Sequence, residues 1–175
     1  MTEPDYTALV VSRICHDLVS PLGAIANGVE LLSMAGAGPE LALIAESVAN
    51  ANARIRSFRI AFGLAEPGQR VTRGELATLV SDLSQGGRMT LRWPVVSDID
   101  RREAKLVLLA VQCLETLMPW GADISVAQAG GRTIVEGRAD RMRDAPDLLA
   151  RLTSADAQDA PEPAQVHFHV LPQEA

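Results

Sequence analysis

Two runs of apolar residues at helical spacing constrain this chain more than any other feature. In the first, Ile14, Leu18, Leu22, Ile25, Val29 and Leu32 are spaced four, four, three, four and three. At roughly 100° per residue they fall on one stripe of an α-helix, the pattern of a bundle or coiled-coil seam. In the second, Leu41, Ile44, Val48, Ala51, Ile55, Phe58 and Phe62 recur at three-four spacing. Between them Ala35-Gly36-Ala37-Gly38 breaks the first helix, and Pro39 is placed to open the second. Long helices joined by a short Gly-rich turn make an antiparallel hairpin. One hairpin cannot bury both seams. Two can, as a four-helix bundle about a two-fold axis in a homodimer. The alternative is that the C-terminal region covers the hairpin within one chain.

The side of the first helix away from its seam carries His16, with Ser20, Gly23, Asn27 and Glu30 at i+4, i+7, i+11 and i+14. A helix face that served solubility alone would more often carry Lys, Glu or Arg. Ser and Gly there leave room for another protein to approach the imidazole. Pro21 lies inside the pattern, where it removes a backbone donor and crowds the carbonyl of Asp17; one bent helix keeps the seam in phase. His16-Asp17-Leu18-Val19-Ser20-Pro21-Leu22, a His followed by an acid with Pro five residues after the His, resembles the H-box of two-component histidine kinases. The fuller run HDLVSPLGAIANGVELL resembles the ChpT-type histidine phosphotransferases of bacterial phosphorelays.

The resemblance implies that the hairpin, residues 1–63, is a dimerisation and phosphotransfer domain. His16 is then the catalytic residue, exchanging phosphate with aspartates of receiver domains. Phosphoryl transfer asks mainly for positioning and charge stabilisation, and an imidazole that ionises near neutrality suits the role of attacking and leaving group. Asp17 is the candidate to hold the other ring nitrogen or take its proton; the alternative is a plain surface carboxylate. Ser20, Gly23 and Asn27 are candidates for the face on which the receiver docks. Arg54, Arg56 and Arg59 late in the second helix either steer an acidic partner or form a solvated face.

Gly63 to Arg70 reads as a linker, and residues 71–175 as a second domain. Thr72-Arg73-Gly74-Glu75 has the form of a capping box before a short helix at Leu76 to Leu83. Arg88 to Trp93 alternates as a strand. Asp98 or Asp100 can cap a helix from about Arg101 to Met118, apolar enough to be largely buried. Ile124-Ser125-Val126 and Thr133-Ile134-Val135 flank Gly130-Gly131, a hairpin signal. Ala145 to Leu152 reads as a helix, and Gln165 to Leu171 as a final strand that would leave His167 and His169 on an exposed face. Helices with a mixed sheet make a two-layer α/β sandwich, so the chain is α+β overall. The order of elements resembles the ATP-binding domain of histidine kinases.

A kinase nucleotide site needs an Asn on the long helix, an Asp-x-Gly-x-Gly turn and a Gly-rich lid. No Asn follows Asn52, and no Asp-x-Gly-x-Gly occurs. On the long helix Gln112 and Glu115 stand as ordinary polar residues. The expectation is a sandwich without nucleotide, as in the ChpT-type family. Cys15 and Cys113 follow no metal spacing, His167-x-His169 has no evident third ligand, and no metal or cofactor is expected in this chain. Mg²⁺ is expected on the partner receiver.

A net charge of −6 argues against nucleic acid as partner, and no run of 18 apolar residues suggests a membrane span. A cytoplasmic protein is expected. The resemblance implies that its partners are response-regulator receivers and the receiver of a hybrid histidine kinase. Two other functions fit the pattern: an ATP-dependent histidine kinase with a divergent site, and a dimeric adaptor that binds receivers without accepting phosphate.

Overall fold

A computed structural model describes residues 10, 13–14, 17–18, 21, 23–25, 27–28, 31–32, 39–63, 65–85, 87–153 and 161–175. The described residues between 10 and 32 are helical and form α1. Pro21 is among them and is itself helical. His16, Ser20, Cys15, Glu30 and the Ala35-Gly36-Ala37-Gly38 turn lie outside the described residues. Helix α2 spans Pro39–Ala61, about 35 Å at 1.5 Å per residue.

The chain then passes through strand β1 (Arg70–Val71), helix α3 (Arg73–Gln85), strands β2 (Met89–Arg92) and β3 (Ile99–Asp100) and helix α4 (Arg101–Leu117). Strands β4 (Ala122–Ala129) and β5 (Arg132–Arg138), helix α5 (Pro146–Thr153), a 3-10 turn (Pro163–Gln165) and helix α6 (His167–Glu174) follow. The fold is α+β. β2 runs parallel to β4, with α4 in the crossover, and β4 pairs antiparallel with β5, Val126 opposite Val135. β1 and β3 make a separate antiparallel ribbon. The β4–β5 turn places Gly130 and Gly131 at φ 59° and 74°, the two positive-φ positions of a type I′ hairpin turn.

Local chemistry starts the two main helices of the sandwich. Thr72 Oγ1 accepts from Glu75 N (3.2 Å) and Asp98 Oδ1 accepts from Arg73 N (2.8 Å), so both cap α3. Asp100 accepts from Arg102 N (2.8 Å) and caps α4. α4 is buried on two sides. Val107, Val111 and Leu117 pack with Ile124, Leu91 and Phe168. Ala104, Leu108 and Leu109 pack with Leu76, Leu79 and the end of α2, Ile60 and Ala61.

The second seam is divided along its length. Phe58 and Ala51 are buried, whereas Leu41, Val48 and Ile55 are 57%, 42% and 41% exposed. The sandwich thus covers the C-terminal end of α2 and leaves a row of apolar side chains, seven residues apart, along the rest.

The expected last strand is a helix. Val166, His167 and Phe168 are all fully buried, which an alternating, half-exposed strand does not allow. Amides of His169 and Val170 both reach back to the Val166 carbonyl at 3.0 Å. A short apolar alternation cannot be told from a helical segment buried on most sides by periodicity alone. His167 and His169 are accordingly buried rather than exposed, and on a helix residues two apart do not share a face.

Candidate functional site

The C-terminal half of the hairpin leans on the sandwich, and between them lies a cleft of about 560 Å³. Asp17 and Pro21 of α1, Asn50 and Arg54 of α2, and Glu115 of α4 line it. Asp17 is not a surface carboxylate: its side chain is 8% exposed. Arg13 Nη2, one turn earlier, is 2.7 Å from Asp17 Oδ2, and Arg54 Nη1 is 3.9 Å from the same oxygen.

The same two guanidinium groups reach the sandwich. Arg54 Nη2 is 3.5 Å from Glu115 Oε1, and Arg13 Nη1 donates to the Ala164 carbonyl at 2.8 Å. Burial pushes the Glu115 carboxyl above the usual carboxylate range; Arg54 and Arg13 oppose that shift and Asp17 adds to it. At the next residue of α4, Thr116 Oγ1 and His167 Nε2 are 2.9 Å apart. Burial, with the Arg13 charge behind it, lowers His167 to about 3. Gln112 is buried with neither side-chain amide atom hydrogen-bonded among the described residues.

Glu115 is therefore no ordinary surface residue of α4, and Arg54 and Arg56 are not a solvated cluster. Arg56 pairs with Asp82 of α3, while Arg59 alone of the three is exposed. Arg13 and Thr116 were not marked by the sequence, and His167 was read only as part of an exposed strand face. Only the four-residue spacing of Arg13 and Asp17 is a local signal; the other contacts join residues far apart in the chain.

Gly23 and Asn27 face the other way. Both are exposed, and a Cβ built at Gly23 meets nothing within 4 Å. Asp17, Gly23 and Asn27 thus occupy two sides of one helix, the acid turned inward and the other two outward. Among the described residues no group of three His, Cys, Asp or Glu is placed to hold a metal ion. Nor, among them, is any helix long and apolar enough to cross a membrane.

Residues 73–175 match the family model of the histidine phosphotransferase C-terminal domain. The chain is similar to the protein phosphotransferase ChpT of Brucella abortus (strain 2308), 33% identical over 166 residues, 90% of this chain and 78% of that protein. The chain belongs to the ChpT-type histidine phosphotransferases. Among solved structures it is similar to one described as a 1.7 Å structure of a bacterial phosphotransferase, with a TM-score of 0.74 and 26% identity over 99% of this chain and 88% of that one. The likeness to that bacterial phosphotransferase structure therefore extends over nearly the whole chain. The chain is a protein phosphotransferase of a phosphorelay.

Proposed function

We propose that His16 is the phosphorylated residue, and that it passes phosphoryl groups between aspartates of receiver domains. A hybrid histidine kinase's receiver would stand on one side of the relay and a response regulator on the other. The observation that carries this reading is that α1 has an exposed side and, next to it round the helix, a buried acid. By helical spacing positions 16, 20, 23 and 27 share a side, and Gly23 and Asn27 on it are bare and exposed. Asp17, next to His16 in sequence, is gripped from behind by two arginines.

In the transfer, the lone pair of an imidazole nitrogen attacks the phosphorus of the receiver's aspartyl phosphate. A P–N bond forms, the P–O bond breaks, and the receiver carboxylate leaves with the electron pair. Delivery to the next receiver is the reverse. Asp17 holds the proton on the other ring nitrogen, which keeps one nitrogen free to react. Mg²⁺ belongs to the receiver, and neither ATP nor a metal is required of this chain.

Hairpin (1–63) and sandwich (71–175) act as two domains of a homodimer. The row Leu41, Val48 and Ile55, together with the exposed Leu31, supports a four-helix bundle built from two hairpins.

The test is a timed transfer assay from a phosphorylated receiver. Wild-type protein is expected to acquire acid-labile phosphate, and His16→Gln to acquire none while still binding the receiver. Gly23→Arg is expected to fold, since the position is open, and to block transfer by occupying the docking face. A folded Gly23→Arg protein that transfers at the wild-type rate would place the receiver elsewhere; labelling of His16→Gln would remove His16 from the mechanism.

A further inference from the structure

The two arginines that hold Asp17 share an unusual property: each is also held at its other terminal nitrogen by the sandwich. For Arg13 the second partner is the Ala164 carbonyl, 151 residues away in sequence, in the 3-10 turn that leads into α6. For Arg54 it is the Glu115 carboxylate on α4. The turn at Ala164 is fixed in its turn: three residues on, His167 is buried and bonded to Thr116 of α4.

An arginine reaching a neighbouring acid from one side only must give up much rotamer freedom to stay there. A guanidinium pinned at both ends of its fork is pre-oriented, and so is the carboxylate it holds. Arg13 approaches Asp17 at 2.7 Å, and Arg54, at 3.9 Å, adds a second positive charge on the same oxygen.

We propose that the sandwich domain serves as the scaffold that sets the acid beside the phosphoacceptor histidine, with Arg13, Arg54 and Glu115 as positioning residues for phosphotransfer. This rests on the reading of His16 and Asp17 given above. It assigns a role to a domain whose sequence lacks the asparagine and glycine boxes of a nucleotide site. The sandwich acts on the reaction through Asp17 from behind the helix. Charge is balanced across the cluster, Arg13 from α1 and Arg54 from α2 against Asp17 from α1 and Glu115 from α4. Asp82 is engaged by Arg56, and Arg88 borders the cleft farther along.

A simple clasp between two domains would use the same Arg54–Glu115 pair, and a charge swap separates the two roles. The experiment uses the full chain and a phosphorylated receiver, with thermal unfolding and transfer rate measured on each variant. Glu115→Gln keeps shape and removes the charge; it is expected to stay folded and to transfer about tenfold more slowly. Arg54→Glu alone is expected to lose both stability and transfer. Combining Arg54→Glu with Glu115→Arg rebuilds an ion pair between the domains but turns an anion toward Asp17, so stability is expected to return and transfer to stay low.

Recovery of both in the swapped protein would reduce the pair to a clasp, and a wild-type rate in Glu115→Gln would detach the sandwich from the chemistry. If the swapped protein does not fold, Glu115→Gln decides alone. His16→Gln is run alongside. If it still transfers, the reading of His16 fails; if it is dead while Glu115→Gln is as fast as wild type, only the present proposal falls.

Discussion

His167 is kept in its neutral form by burial. Its side chain is fully buried and shares a hydrogen bond with Thr116, and burial followed by the Arg13 charge lowers it from 6.5 to about 3. Between those values the unfolded chain binds a proton that the folded protein refuses. Stability must therefore rise with pH across that window and fall as pH drops from about 6.5 toward 3, by up to about 1.4 kcal/mol per pH unit from this group. His169 is shifted in the same direction by burial and by Arg151. Glu115 works in the opposite sense: the folded state keeps its proton to higher pH than the unfolded chain does, so its contribution weakens as pH rises. Urea unfolding of His167→Gln against wild type isolates the histidine, and the variant's stability should be flatter over the acid window. Equal slopes would mean that His167 is protonated in the folded state. Nothing local marked this residue. Val-His-Phe-His-Val reads as alternation because histidine passes for polar; only the packing of α6 against α4 shows that position 167 faces the interior.

At the scale of elements, the helix starts of the sandwich depend on a pair of aspartates two residues apart. Asp98 caps α3 and Asp100 caps α4, and the β1–β3 ribbon brings the two helix starts side by side, Arg70 opposite Asp100. Asp100→Ala is expected to cost about 1 kcal/mol, and Asp100→Asn much less, because Asn still offers a side-chain oxygen to Arg102 N. Chemical denaturation of the two variants checks this; equal losses would show that charge, not the cap bond, is what matters. These elements were legible because their signals are local. Thr72 three residues before Glu75, Asp100 before an apolar run, and Gly130-Gly131 between alternating segments each act within a few residues of where they stand. The sequence left Asp98 and Asp100 as alternative caps for one helix, whereas each serves a different one. That distinction needs the ribbon, a contact between segments about thirty residues apart. The same reasoning failed at α6, whose helical form is selected by what surrounds it.

For the whole molecule, the second seam read as one uniform stripe but has two kinds of support. Phe62, at the end of the seam, packs with Ile60 and Ala61 against Leu76, Leu79 and Leu108, whereas Leu41, Val48 and Ile55 are left open. Cover from the same chain thus reaches one end of the helix, and the open stretch is the part that the dimer reading assigns to a second copy. Periodicity shows which face is apolar, not what lies against it. On the dimer reading, Ile55→Glu should dissociate the protein without unfolding it, because the charge enters a position already 41% exposed in the single chain. Light scattering at micromolar concentration should move from dimer to monomer with unchanged helical circular dichroism. A wild-type protein that is monomeric throughout would remove the bundle.

The reach of Arg13 to Ala164 also has a consequence in time. A ribosome makes the two partners 151 residues apart, on the order of ten to thirty seconds of synthesis. Helix α1 emerges early, but Arg13, which pairs with Asp17 on it, meets its partner from the end of the chain only when that has been delivered and folded. On the scaffold proposal, a chain that stalls or is clipped before α6 would carry the histidine without its setting. Incomplete products would then be poor competitors for the phosphoryl groups that the finished protein passes on.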